Sequence, residues 1–316
     1  MRRIKALVEE RPLLTLFALP KPFQGQFGII QRNAITSWTM LRPRPEIILF
    51  GDEPGTAEIA EELGVRCIPQ VARNEFGTPL LHDVFCKAEK IAPAGAIAYV
   101  NADIMILSDF LYAVSLIERL GRDRQYLISG IRWNLKVENV LSFGNGWEQD
   151  LRTRVKLSGK ADVPSALDYF IFSRGLYKQM PPLAVGRTAW DNWLLYQARA
   201  SKAMVVDASP AVMAIHQLHD YSHLPNGEHT AFRGAEAQLN QQMVRDAVRD
   251  DLWVFGLMDA THVLTGDGLK SVRKVRGLIP WLRWEANRFA LFNPVVGLPV
   301  RLIKNIIRRF RRGRLT

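Results

Sequence analysis

Short apolar runs alternate with helical stripes along the first hundred residues. Leu13–Leu19 is apolar and stops at Pro20, which predicts a first strand. Phe27, Ile30, Ala34, Trp38 and Leu41 recur at helical spacing within residues 25–41. Residues 46–52 predict a second strand ending at Gly51-Asp52, and residues 56–64 a short helix closed by Gly64. A third strand over 65–71, a helix over 82–92 before Pro93, and a fourth strand over Ala96–Leu107 follow. This alternation with short links predicts a mostly parallel sheet covered by helices.

The pattern loosens after residue 110. Residues 125–133 and 165–173 read as strands, 139–159 as a polar loop, and 188–200 as a helix with Asp191 near its polar start. Residues 202–209 and 211–223 complete this half, with no repeat and no low-complexity segment. Such a half commonly supplies a second substrate site.

The 316 residues are 48% hydrophobic and 23% charged, an ordinary globular balance. Two cysteines, Cys67 and Cys86, are too few for a disulfide framework and fit a reducing compartment. Glu9, Glu10 and Arg11 interrupt any signal-peptide core, and no window predicts a spanning helix. The net charge of +11 lies in the tail: from Leu269 onward there are 13 Lys/Arg and one acid, leaving 29 bases against 30 acids elsewhere. The body is balanced, which argues against a nucleic-acid-binding surface over the whole protein.

One carboxylate stands out. Asp103, in Asn101-Ala102-Asp103, interrupts the apolar run of the fourth strand. A charge there must be paired, bound to a metal or at an exposed strand end. Ligands of parallel sheets sit beyond the carboxyl ends of strands, where Asp52 also falls. A carboxylate beside an asparagine suits Mg²⁺ or Mn²⁺; capping of the next helix at Ser108-Asp109 is the plain alternative. The Gly-x-Gly-x-x-Gly and Walker A patterns and a serine nucleophile elbow are missing.

With these elements and motifs in this order, the chain from about Leu13 to His223 resembles the GT-A glycosyltransferases, family-2-like transferases of nucleotide-diphospho sugars. The resemblance implies a GT-A (Rossmann-like) mixed, mostly parallel α/β sheet flanked by helices. It implies a domain over residues 1–265, with a nucleotide-sugar half over about 12–110 and an acceptor half over 111–225. The family's Asp-x-Asp motif, which holds Mg²⁺ or Mn²⁺ and the donor diphosphate, stands here as Asn101-Ala102-Asp103. Asn101 brings no charge, so part of the metal's binding shifts elsewhere, to His216 in "AIHQLHDYSH", with His219 and His223 as weaker candidates. The family's base at a helix start corresponds to Asp191, which would deprotonate an acceptor hydroxyl for inverting transfer; Asp191 also suits helix capping. Pro20 and Asp52 would frame the nucleotide, and His82, Asp83 and Lys87 would face the diphosphate. Asp168, Trp190 and Asn192 would touch donor or acceptor sugar.

Residues 266–316 predict a basic amphipathic tail. Ile303, Ile307 and Phe310 lie on one helical face with Arg308 and Arg309 opposite, and Trp281 and Trp284 lie upstream. Such a segment binds anionic membrane surfaces, which places the protein in the cytoplasm, peripheral to the inner face of the membrane, near a glycan or lipid-linked acceptor. An ordinary packed helix with a basic end is the alternative for the tail. For the whole chain, a sugar-phosphate nucleotidyltransferase and a non-catalytic membrane adaptor are the competing readings.

Overall fold

The computed structural model describes residues 12–93, 95–120, 124–220, 226–248 and 255–272. The expected mixed, mostly parallel sheet flanked by helices is present. The first half consists of β1 (Leu14–Ala18), α1 (Gly25–Thr39), β2 (Glu46–Phe50), α2 (Thr56–Leu63), β3 (Arg66–Ile68), α3 (Leu81–Ile91) and β4 (Ala96–Val100). Then come β5 (Ile104–Met105), α4 (Asp109–Leu120), β6 (Tyr126–Ser129), β7 (Arg132–Leu135), α5 (Trp147–Ser158), β8 (Lys160–Ala161) and β9 (Tyr169–Phe172). The chain continues with α6 (Trp190–Ala200), β10 (Met204–Asp207), β11 (Ala214–Gln217), α7 (Glu228–Arg233), α8 (Ala235–Val248), β12 (His262–Thr265) and β13 (Gly268–Ser271).

Nine strands form the main sheet in the order β13-β12-β10-β6-β9-β4-β1-β2-β3. β9 runs antiparallel to both β4 and β6, and β13 antiparallel to β12; the other pairs are parallel. Strand alternation separates two cores. Leu14, Leu16 and Ala18 of β1 join Ala34, Ile35 and Trp38 of α1 on one face. Phe17 and Leu19 join Val84 and Phe85 of α3 and Trp193 and Leu194 of α6 on the other. Each valine, leucine, isoleucine or phenylalanine among them, withdrawn from water, contributes about 1.5–3 kcal/mol before the entropy of ordering is subtracted.

A second sheet, β5-β11-β7-β8, lies on the α1 side. It corrects two expectations. Ala96–Leu107 is not one strand: the chain turns at Asn101–Asp103, with the Ile104 amide donating to the Asn101 carbonyl, and β5 pairs antiparallel with β11. Residues 125–133 likewise divide at Gly130 into strands of different sheets. A Cβ at Gly130 would lie 2.4 Å from the Tyr169 hydroxyl and 2.9 Å from the Ser209 amide, so only glycine lets the chain pass there. The indole N–H of Trp38 donates to the Ile104 carbonyl at 2.8 Å, tying α1 to the second sheet.

The polar stretch 139–159 contains helix α5, held by buried Leu151 and Val155 with Trp147 packed beside them. Gly268–Ser271, assigned above to the tail, is an edge strand of the main sheet. Residues 273–316, with Trp281, Trp284, Ile303, Ile307, Arg308, Arg309 and Phe310, lie outside the described residues. Among the described residues no helix is long and apolar enough to cross a membrane.

Candidate active site

The chain runs outward from β1 to β2 and β3, then returns to place β4 on the other side of β1. The crevice at such a reversal, beyond the carboxyl ends of the strands, is where open α/β sheets bind ligands. Here it opens into a cleft of about 680 Å³, lined among others by Pro20, Lys21, Asn101, Asp103, Asp168, Asp191, His216 and His219. A second cavity of about 740 Å³ lies at the opposite end of the strands, around Pro43–Glu46 and Gly64–Arg66, away from the acidic and imidazole groups.

The pairing of β5 with β11 builds the first cluster. It sets His216 opposite Ile104, so that the imidazole neighbours the Asp103 carboxylate. One ligand atom from each of Asp103, His216 and His219 falls within a set whose members lie within 4.8 Å of one another. The ring of His219 lies 5.3 Å from that of His216 and 5.0 Å from that of Phe27. His223, the third histidine of the motif, lies outside the described residues.

The hydrogen bonds set the tautomers. Asn134, opposite His216 in the parallel pair β7–β11, donates through Nδ2 to Asp162 Oδ2 at 3.0 Å. Its Oδ1 therefore faces His216 Nδ1 at 2.8 Å and accepts the Nδ1–H, leaving the Nε2 lone pair. His219 Nδ1 donates to the Asp220 carbonyl at 2.6 Å, which leaves its Nε2 facing Asp103 Oδ2 at 3.0 Å. Two acceptors at that distance require a cation between them, either a proton or a metal ion. Two neighbouring ligands at the roughly 2.1 Å of an octahedral Mg²⁺ lie about 3.0 Å apart. Asp103 Oδ1 is buried without a hydrogen-bond partner. The residues therefore fit a divalent ion.

The electrostatics point the same way. Burial opposes ionisation of Asp103, yet the His219 hydrogen bond and the nearby Lys21 ammonium hold its pKa well below the usual carboxylate range. Burial lowers the His216 pKa against the pull of Asp103 and Asp168, which favours the neutral, ligating ring.

Asn101 is committed differently from its expected role. Its amide donates to Asp168 Oδ1 at 2.6 Å, and its backbone N–H to the Asp168 carbonyl at 2.9 Å. Arg132 takes the other Asp168 oxygen at 2.6 Å and Asp162 at 2.8 Å. A continuous chain, Asn101–Asp168–Arg132–Asp162–Asn134–His216, thus links the strand-end turn to the histidine. An acidic side chain at 101 would meet the Asp168 carboxylate with no proton to donate.

The second cluster is Asp191, in the first turn of α6. Trp190 is buried against Tyr99 and Phe170, each ring 5.4 Å away, and anchors the helix start. Ala189 precedes it with φ 86°, a left-handed conformation disfavoured for a residue bearing a Cβ. The Asn192 amide donates to Asp191 Oδ1 at 2.9 Å, while the Asn192 side chain is spent on the Phe255 carbonyl at 2.6 Å. Burial, reinforced by the Asp168 charge, outweighs this amide and Arg132 and pushes the Asp191 pKa up to about 7.

Four expected residues lie elsewhere. Asp52 is two-thirds exposed and paired with Arg73, and it is the neighbouring Glu53 that lines the cleft. Asp83 accepts from the Ala72 amide at 2.8 Å and from Lys87 at 2.7 Å, and Lys87 also donates to the Gln70 carbonyl. These bonds pin the loop after β3 to α3 and leave the Lys87 ammonium engaged outside the cleft. His82 also lies outside the cleft lining. Pro20, Asn101, Asp103, Asp168, Trp190, Asp191, Asn192 and His216 do line it. Sequence reasoning missed Lys21, Arg132 and Asn134. Lys21 carried a signal, since it follows Pro20 directly at the strand end; Asn134 and Arg132 carried none without the strand register.

No protein-family model matches the chain, and no curated protein matches it either. Among solved structures it is similar to mannosyltransferase PcManGT from Pyrobaculum calidifontis in complex with GDP-Man and Mn²⁺, at 14% identity and TM-score 0.47 over 93% of this chain and 74% of that one. It is also similar to glucosyl-3-phosphoglycerate synthase from Mycobacterium tuberculosis with Mn²⁺, UDP and phosphoglyceric acid, at 14% identity and TM-score 0.44 over 74% and 78%. A third likeness is to S. aureus TarS, at 13% identity and TM-score 0.38 over 65% and 57%. The site itself, rather than these distant likenesses, carries the functional reading.

Proposed function

We propose that this protein is a GT-A-type glycosyltransferase that moves a sugar from a nucleotide-diphosphate donor to an acceptor hydroxyl. One observation carries the proposal: a single cleft at the sheet's reversal point holds both an Asp103–His216–His219 cluster suited to a divalent ion and a carboxyl group poised near neutrality. Asp103, His216 and His219 would hold Mg²⁺ or Mn²⁺, which when bound neutralises charge on the donor diphosphate. Asp191 accepts the proton of the acceptor hydroxyl. The hydroxyl oxygen bonds to the anomeric carbon as the bond from that carbon to the diphosphate oxygen breaks, and the electron pair leaves with the diphosphate. Attack opposite the leaving group inverts the anomeric centre. A base with pKa about 7 suits this task, being largely deprotonated just above neutrality yet basic enough to accept a proton. Asp168, held by Asn101 and Arg132, and Trp190 shape the sugar side of the cleft.

A screen of nucleotide sugars with Mn²⁺ or Mg²⁺, reading release of the nucleoside diphosphate, tests the proposal. Turnover is expected with one donor and is lost in Asp103→Ala. If no nucleotide sugar turns over and no nucleoside diphosphate raises the melting temperature, the proposal fails. The basic sequence of residues 273–316 supports a further part of it: attachment to an anionic membrane surface on the cytoplasmic side, beside a glycan or lipid-linked acceptor. Co-sedimentation with anionic vesicles, weakened by salt and absent with neutral vesicles, is the expected result; equal binding to both would refute it.

A further inference from the structure

Four lysines and arginines line the cleft: Lys21, Arg73, Arg132 and Arg187. Three are already spent on carboxylates. Arg73 pairs with Asp52 and Glu53, Arg132 with Asp162 and Asp168, and Arg187 with Glu236 at 2.5 Å. Lys21 differs, since no carboxylate among the described residues lies within 4.0 Å of its ammonium. The Nζ sits 4.6 Å from the centre of the Phe27 ring, within cation–π range.

Its backbone is fixed from both sides. The Lys21 N–H donates to Gln31 Oε1 at 2.6 Å, and Gln31 Nε2 donates to the Lys21 carbonyl at 2.8 Å. Gln31 is buried on α1, so the strand-end loop is anchored to a helix. Lys21 follows β1 and Asp103 follows β4, so the two flank the reversal point of the sheet. The ammonium lies within electrostatic range of Asp103 and Asp168 without touching either. Burial works against its charge, and those two carboxylates sustain it. A half-buried ammonium at the cleft wall, near two carboxylates but hydrogen-bonded to neither, is placed to receive a further anion.

We propose that Lys21 is a binding residue for the diphosphate of the donor, supplying fixed positive charge beside the Asp103 site and so partly replacing the metal's charge. The inference rests on the nucleotide-sugar reading. It accounts for how a site with Asn101 in place of a second acidic ligand still gathers enough positive charge for a diphosphate. It also predicts a trade: the ammonium that attracts the diphosphate repels a divalent ion from Asp103.

Calorimetric titration with inorganic pyrophosphate, which carries the diphosphate without the base or sugar, tests this. Pyrophosphate is added to the full chain in chelator and again with Mn²⁺, for the wild type, Lys21→Met and Lys21→Arg. The expected result is metal-independent binding by the wild type, weakened at least tenfold in Lys21→Met and largely kept in Lys21→Arg. Mn²⁺ titrated alone should bind Lys21→Met more tightly than the wild type. Melting temperatures of the variants without ligand identify any misfolded one; Lys21→Arg keeps the charge should Lys21→Met fail to fold, and Lys21→Gln then takes its place. Equal pyrophosphate affinity in the wild type and the neutral variant, in chelator and in Mn²⁺, overturns the inference and leaves the transferase reading standing. If the wild type binds neither pyrophosphate nor any nucleoside diphosphate under either condition, the transferase reading falls, and this inference with it.

Discussion

Replacing Asp191 by Asn tests the electrostatics of the cleft without any substrate. Asparagine keeps the shape, and its Oδ1 still accepts the Asn192 amide, which donates to Asp191 at 2.9 Å. What disappears is the ionisation. In the folded protein the carboxyl pKa is raised from 3.8 to about 7, chiefly by burial. Between those values the folded state binds a proton that the unfolded chain has lost. Stability from this group is therefore complete below about pH 4 and is lost as pH rises through 7. The whole shift corresponds to at most about 4 kcal/mol, and roughly 2.7 kcal/mol of it falls between pH 5 and pH 8. The carboxylate faces an open cleft, and water there reduces the measurable part to on the order of 1–2 kcal/mol. Urea denaturation of the wild type and Asp191→Asn at pH 5 and pH 8 measures it. The variant should gain 1–2 kcal/mol relative to the wild type at pH 8, on the order given by the same linkage. Turnover should fall in the opposite sense: a general base contributes roughly 10²–10⁴-fold, and wild-type activity should rise with pH to a plateau above about 7. Parallel stability curves across this pH range would show that Asp191 stays ionised throughout and would remove the physical ground for its role as base.

Asn134→Ala frees the His216 ring that Asn134 now orients at 2.8 Å, so Mn²⁺ affinity should drop about 10–100-fold with little change in the metal-free melting temperature; unchanged affinity by calorimetry would show that the ring is held by other contacts. Asn101→Asp restores an Asp-x-Asp sequence but replaces a 2.6 Å donor to Asp168 with a like charge, and should cost about 1–3 kcal/mol in urea denaturation. Adding Asp168→Asn to that variant should recover part of the loss; an Asn101→Asp protein as stable as the wild type would refute the assignment of Asn101 as a donor. Lys87→Met should leave pyrophosphate affinity unchanged, because its ammonium is held by Asp83 and the Gln70 carbonyl; a marked loss would return Lys87 to the diphosphate site.

The hydrophobic pattern by itself determined the alternation of strands and helices through β4, because each of these elements exposes one periodicity to one core. It also singled out Asp103, since a carboxylate in an apolar run is visible locally, whereas Asp191 at its helix start read locally as a cap and took the role of base from the family resemblance. His216 came from the family resemblance, which placed His219 behind it; the fold brings His219 to 3.0 Å from Asp103. Helix α5 is hidden in the sequence because only Trp147, Leu151 and Val155, four residues apart, mark it within a polar stretch. The division of Ala96–Leu107 and of 125–133 between two sheets was equally hidden, since an apolar residue reads the same whichever strand it pairs with. Tertiary structure alone decided that β5 lies against β11 and β7 beside it. That register turned Asn134 into the partner of His216, Arg132 into the clamp on Asp168, and Lys21 into the cleft's unpaired ammonium among the described residues. Local periodicity records which face of an element is buried; which charges then meet depends on strand order and register, set by contacts between residues 36 to 112 positions apart.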